Sequence, residues 1–219
     1  MNVSPKIRGV ALDMDGLLFD TEKLYFDVGD EVLRKRGHRF SVELQDRMMG
    51  RVGTNAMQQM IDFHQLDDTP EQLLEESDEL FMKRLHSELR PMPGLTPWMQ
   101  HLATSGLPHG LATSSRRQFV DVILPTVSWR SQLQYVLTGD DVIQGKPHPE
   151  IYLRAAEAMQ INPEEMLVLE DSGNGTAAAV AAGAFTVAIP SEHTTNQDFS
   201  GANLVATSLS DERLLTLIR

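Results

Sequence analysis

Four short apolar runs, each followed by polar residues suited to holding charge, constrain this chain more than any other feature. Residues 7–12 lead into Asp13 and Asp15, and residues 110–113 end in Thr113 with Ser114 and Ser115 behind it. Residues 135–138 precede the loop that carries Lys146, and residues 166–169 lead into Glu170 and Asp171. Helical stretches separate the later runs: the residues from Arg116 to Leu124, from Pro149 to Met159 and from Thr176 to Ala182. Alternation of this kind predicts an α/β chain, a Rossmann-like, mostly parallel sheet with helices on both faces. In such sheets ligands bind at the carboxyl ends of the strands, so the four polar clusters are expected at one edge.

The rhythm breaks once. Between the first and second runs lie only helical stretches, 21–36, 41–49, 54–63 and 70–89, and the last opens on Thr69-Pro70-Glu71, with proline suited to the first helical position. Helices without an intervening strand predict an inserted all-helical domain, closed by the rigid Pro91-Met92-Pro93-Gly94 stretch. The expected division is a core of residues 1–17 and 92–219 and an insert of residues 18–91.

Composition bounds the partners. The 219 residues carry a net charge of −12, which repels nucleic acid and anionic membranes. No apolar run approaches the length of a membrane span. Cysteine is absent, excluding disulfides and thiol ligands and suiting a cytoplasmic location. The expected partner is a small molecule, and the expected assembly a monomer or weak dimer.

Each cluster has a plain reading and a chemical one. Asp13-Met-Asp15-Gly16 is good turn chemistry, and it is also a pair of carboxylates that a Mg²⁺ ion would satisfy. Thr113, Ser114 and Ser115 can cap a helix or hold a phosphate at its N-terminus. Lys146 sits in Gly145-Lys-Pro-His-Pro149, where two prolines stiffen the backbone around one ammonium. Glu170-Asp171 can merely start a helix, and Gly173-x-Gly175-x-x-Ala178 leaves dinucleotide binding open as a rival. Their joint placement at one sheet edge favours phosphate chemistry.

Four ordered stretches carry a resemblance that spans almost the whole chain. These are Asp13-Met-Asp15-Gly16-Leu-Leu-Phe-Asp20, Ala112-Thr113-Ser114-Ser115, Lys146-Pro-His-Pro-Glu-Ile-Tyr152 and Glu170-Asp171-Ser172-x-x-Gly175-x-x-Ala178-Ala179 with Ala182-Gly183. Together they resemble the signature motifs of the haloacid dehalogenase superfamily, in the helical-cap branch that includes β-phosphoglucomutase and sugar-phosphate phosphatases. The resemblance implies phosphoryl transfer from a small phosphate ester through an aspartyl-phosphate on Asp13, with Asp15 as general acid/base. It implies Mg²⁺ held by Asp13, the Asp15 carbonyl, Glu170 and Asp171. Gly16, Thr113, Ser114, Ser115, Arg116, Lys146 and Arg51 would contact the phosphate or substrate. Without such charges, Asp13 would approach a phosphate dianion against about 8 kcal/mol of repulsion, for two unit-charge pairs ~4 Å apart at an effective dielectric near 20.

Two outcomes of that chemistry are separated by the stretch Met48-Met49-Gly50-Arg51-Val52-Gly53-Thr54. Mutase-like relatives carry a Lys-Gly pair and a nearby arginine that help retain a second phosphate, and a histidine five residues beyond the last aspartate of the first motif. Here methionine replaces the lysine, glycine replaces the arginine, and Tyr25 stands at the histidine position. Loss of those charges ranks hydrolysis above a phosphoglucomutase-like isomerisation.

Overall fold

A computed structural model describes residues 6–48, 51 and 53–218. Among them, six strands form one parallel sheet: β1 (Gly9–Leu12), β2 (His109–Ala112), β3 (Tyr135–Leu137), β4 (Met166–Glu170), β5 (Phe185–Ala188) and β6 (Leu204–Val205). Their order is β3-β2-β1-β4-β5-β6, so β1 lies at the point where the winding reverses. The register aligns Leu12 with Leu111 on one side and with Leu169 on the other. The residues that follow these strands therefore emerge side by side.

Every residue of β1, β2 and β4 is buried, as expected of parallel strands covered on both faces. Helices α7 (Glu150–Met159) and α8 (Gly173–Ala181) pack on one face, where Ile151, Tyr152, Ala155, Ala178 and Ala179 meet Ala11, Ala112 and Val168. The alanines of α8 keep this helix close to the sheet. Helices α5 (Leu95–Ser105), α6 (Arg117–Ile123) and α9 (Glu212–Leu217) complete the sheet-bearing unit.

The residues between Thr21 and Leu89 form a second compact unit of four helices: α1 (Thr21–Arg34), α2 (Val42–Met48), α3 (Thr54–His64) and α4 (Pro70–Glu88). Helix α4 opens as the sequence suggests, with a capping box between Thr69 and Gln72 and Pro70 in the first turn. Leu24, Val32, Leu33, Leu44, Met60, Leu73 and Phe81 are buried. Arg36 binds both carboxylate oxygens of Asp68, at 2.9 and 2.7 Å, and also reaches Glu76. The junctions fall at 20/21 and 89/90 rather than 17/18 and 91/92. Residues 18–20 and 90–92 pair with each other: Asp20 N–H donates to the Arg90 carbonyl at 2.9 Å and Met92 N–H to the Leu18 carbonyl at 2.9 Å.

Candidate active site

The site is assembled at the carboxyl edge of β1, β2 and β4, beside the loop that follows β3. Asp13 directly follows β1, and its N–H donates to the Leu169 carbonyl at 3.1 Å, which ties the β1 exit to β4. The chain then turns tightly: Gly16, at φ 73°, donates its N–H to the Phe19 carbonyl at 2.8 Å. A Cβ at Gly16 would run into the Asp171 carboxylate, so the positive φ and the close approach both require glycine here.

Lys146 is nearly fully buried, and all three of its N–H bonds are used. Its Nζ donates to Asp13 Oδ1 at 2.5 Å, Glu170 Oε1 at 2.5 Å and the Ala112 carbonyl at 3.0 Å. The loop that presents it, residues 143–149, contains a cis Lys146–Pro147 bond. It is held at its start by Glu150, whose carboxylate accepts from the Ile143 and Gln144 N–H groups and pairs with Arg154 at 2.6 Å.

Glu170 ends β4 fully buried. Besides Lys146, its Oε1 accepts from the Tyr152 hydroxyl at 2.5 Å, while Oε2 accepts from the Ser172 hydroxyl at 3.1 Å. Ser172 also caps α8 by accepting from the Gly175 N–H at 3.1 Å. A Cβ on Gly175 would overlap the Glu170 carboxylate. Gly175 thus gives this carboxylate room, and the Gly173 N–H is taken by the Gln197 side chain at 2.6 Å. The dinucleotide reading of that stretch is corrected accordingly.

Asp15 points elsewhere. Its Oδ2 accepts from the Thr113 hydroxyl at 3.0 Å and the Ser115 hydroxyl at 2.7 Å, and its Oδ1 is buried with no hydrogen-bond partner among the described residues. The Thr113 hydroxyl also accepts from the Ser115 N–H at 3.0 Å.

The electrostatics are those of a site short of positive charge. Carboxylate oxygens of Asp13, Glu170 and Asp171 lie within 4.8 Å of one another, all buried, with one ammonium between two of them. Burial pushes Asp13 up to about 8; Lys146 opposes this, and Glu170 and Asp15 add to it. Burial alone would lower Lys146, but the Asp13 and Glu170 carboxylates outweigh it and hold the ammonium firmly charged. An oxygen-rich cluster with surplus negative charge suits a hard divalent cation.

Asp13, Asp15, Gly16, Thr113, Ser115, Lys146, Glu170 and Asp171 are thus brought together. Arg116 precedes α6 with its guanidinium over the Phe119 ring, 4.8 Å from the centroid. Arg51 belongs to the helical unit, where its Nε donates to the Arg47 carbonyl at 2.9 Å. Met49, Gly50 and Val52, part of the stretch that distinguishes the two outcomes, lie outside the described residues. Sequence reasoning missed the parts played by Tyr152 and Gly175. The only signal was that both lie inside the quoted motifs.

A parallel sheet with carboxylates, a buried lysine and hydroxyls gathered at its switch point defines a phosphoryl-transfer hydrolase class, and the comparisons agree. Residues 7–183 match the haloacid dehalogenase-like hydrolase family, to which the chain belongs. A (DL)-glycerol-3-phosphatase 2 from Arabidopsis thaliana is 33% identical, with 94% of this chain and 88% of the relative covered. A phosphorylated carbohydrates phosphatase from Thermotoga maritima is 32% identical, over 81% of this chain and 82% of its own. The crystal structure of a family hydrolase from Deinococcus radiodurans with bound phosphate and sodium superposes with a TM-score of 0.79 at 25% identity, over 98% of both chains. The chain spans 54% of the length of one relative, a bifunctional riboflavin kinase/FMN phosphatase from Arabidopsis thaliana. By family, this chain is a hydrolase of phosphoric monoesters.

Proposed function

We propose that the protein is a Mg²⁺-dependent phosphatase of small polyhydroxylated phosphate esters, sugar phosphates first among them, working through an aspartyl-phosphate on Asp13. The observation that carries this reading is Lys146 set between Asp13 and Glu170, beside an Asp15 carboxylate oriented by two hydroxyls. Asp13, the Asp15 carbonyl, Glu170 and Asp171 would hold the cation. When bound, it neutralises charge between the attacking carboxylate and the phosphoryl oxygens.

The remaining work falls to the chain itself. An Asp13 oxygen bonds to phosphorus as the ester P–O bond breaks, and Asp15 gives its proton to the departing alkoxide. Asp15 then takes a proton from water, whose oxygen attacks phosphorus. The bond to Asp13 breaks, the carboxylate is restored and inorganic phosphate leaves. Lys146 keeps Asp13 placed and offsets the incoming charge. The Thr113 hydroxyl, which donates to Asp15, turns to the phosphoryl group together with the Ser114 N–H. Turning releases the Asp15 carboxylate as substrate arrives.

Hydrolysis ranks above isomerisation because Met49 and Gly53 stand where mutase-like relatives carry a lysine and an arginine. In addition, Tyr25, at the histidine position, stacks on Phe81 with centroids 4.3 Å apart. The helical unit, with Arg51, would act as a cap that selects the organic half of the substrate. Ser115 and Arg116 lie between β2 and α6, where they would contact the phosphate or its substituent. The names of the relatives, from glycerol 3-phosphate to phosphorylated carbohydrates, favour a polyhydroxyl substrate. No described helix is long and apolar enough to cross a membrane, and the cysteine-free composition supports a cytoplasmic location.

The test is a phosphate-release screen over sugar, polyol and nucleoside monophosphates with Mg²⁺, beside an assay of β-glucose 1-phosphate isomerisation. Release from at least one sugar or polyol ester is expected, abolished by Asp13→Asn and by EDTA. Isomerisation without release overturns the phosphatase ranking, and turnover by Asp13→Asn removes that residue from its role.

A further inference from the structure

Glu170 is held more completely than its task of pairing with Lys146 requires. Each oxygen is occupied twice: Oε1 by Lys146 and the Tyr152 hydroxyl, Oε2 by the Ser172 hydroxyl at 3.1 Å and the Ser172 N–H at 3.3 Å. Tyr152 is 0% exposed and sits in the first turn of α7, with its ring packed in the core that includes Ala155, Ala178 and Ala179. The Lys146 ammonium lies over that same ring, 5.1 Å from its centroid.

If the ring served only to fill space, phenylalanine would serve as well. A buried hydroxyl carries a desolvation cost that only a hydrogen bond offsets, and here the bond is to an ionisable carboxylate, the stronger kind. A glutamate has three side-chain torsions, and an ammonium contacting one oxygen leaves the carboxylate plane free to turn. The phenol from α7 and the serine from the β4–α8 turn approach from two different elements and fix that plane. Because the ring also lies under Lys146, one side chain contacts both members of the ion pair.

We propose that Tyr152 is a positioning residue: its phenol holds the Glu170 carboxylate in the orientation that sets Lys146 against Asp13 and presents the carboxylate cluster to the cation. This rests on the phosphatase reading above, and it deepens that reading by adding a residue from α7, remote from the carboxylate motifs.

The experiment compares the wild-type chain with Tyr152→Phe, which keeps the ring, and Tyr152→Leu, which removes it. Two quantities are read: kcat and KM with p-nitrophenyl phosphate, and Mg²⁺ affinity from calorimetric titration of the metal-free protein. Partners one shell out from a metal site typically contribute about 10- to 100-fold, so Tyr152→Phe should lose kcat and Mg²⁺ affinity by about that range with KM little changed. Tyr152→Leu should show the same kcat loss and a lower melting temperature as well. A third reading needs no variant to fold. With 3-fluorotyrosine in the wild-type chain, which has 3 tyrosines, Mg²⁺ should move the Tyr152 fluorine resonance and leave that of Tyr25 in place. Wild-type kcat and Mg²⁺ affinity in Tyr152→Phe, with or without a fall in melting temperature, overturn the proposal. So does a Tyr152 resonance indifferent to Mg²⁺. A wild-type chain that hydrolyses no ester sinks the functional reading, whereas an active wild type beside an unperturbed Tyr152→Phe sinks only the role of the tyrosine.

Discussion

At Asp13 one side chain must be negative to attack phosphorus and yet sits where burial and two neighbouring carboxylates oppose that charge. Its carboxyl is pushed up to about 8 from 3.8, with Lys146 the one ammonium in opposition. The consequence for stability has a definite sign. Below about pH 4 folded and unfolded chains both hold the proton; between there and about pH 8 only the folded chain does, so stability falls as pH rises through that window. Asp13→Asn removes the titration. In EDTA, its melting temperature should exceed that of the wild type at about pH 8.5, and the gap should shrink towards about pH 5. A gap independent of pH would show that Asp13 ionises without this penalty.

Residues of this kind divide into those the sequence makes legible and those it does not. Asp13, Asp15, Lys146, Glu170 and Asp171 could be picked out because charged residues at or beyond successive strand ends coincide in one order, although each alone has a plain reading. Tyr152 could not, since a tyrosine on the apolar face of a helix looks the same whether or not its hydroxyl meets a carboxylate. Ser115 was expected to touch phosphate; its hydroxyl bond to Asp15 depends on how the β2 exit curls beside the β1 exit, and local sequence does not encode that neighbour.

At the scale of elements, the β4–α8 connection holds the most chemistry in the least chain. The sequence suggests a helix from Thr176, because glycines at 173 and 175 read as loop. The structure starts the helix at Gly173, with Ser172 as its cap. Gly175 answers a demand from outside the helix, the volume of the Glu170 carboxylate, which propensity does not register. This gives a prediction in which two effects have opposite signs. Replacing a helical glycine with alanine stabilises by about 0.5–1 kcal/mol when nothing else changes. Gly175→Ala should instead destabilise the chain in urea unfolding and lower kcat by more than about tenfold, because the new methyl displaces the carboxylate that holds Lys146. A stabilised, fully active variant would mean that Glu170 moves aside at no cost. By contrast, the strands themselves were readily legible: short, mostly apolar runs followed by polar residues, and buried along their length, match β1, β2 and β4 to within a residue or two.

Over the whole molecule, the chain consists of two compact units with every carboxylate of the site, Lys146 and the hydroxyls in one of them. The helical unit leaves and rejoins the other through a single paired gate, Asp20 to Arg90 at 2.9 Å. Replacing residues 21–89 with a short glycine-serine linker therefore breaks no strand and closes a small loop, which carries little entropic cost. The shortened protein should fold cooperatively, bind Mg²⁺ in calorimetry and lose discrimination among phosphate esters. Failure to fold would show that the sheet-bearing unit depends on its insert. The sequence marks the strandless stretch between residues 21 and 89, whereas the seams at 20/21 and 89/90 depend on backbone pairing between segments far apart in the chain.

The pairing of Asp20 with Arg90 also bears on how such a protein can change over generations. Whatever lies between those two positions can lengthen, shrink or be traded for another module as long as its ends return to the same spot, while the reactive groups keep their places. Preference for one metabolite over another can then drift on one stretch of the gene, and the bond-breaking apparatus, encoded on either side of it, is inherited unaltered.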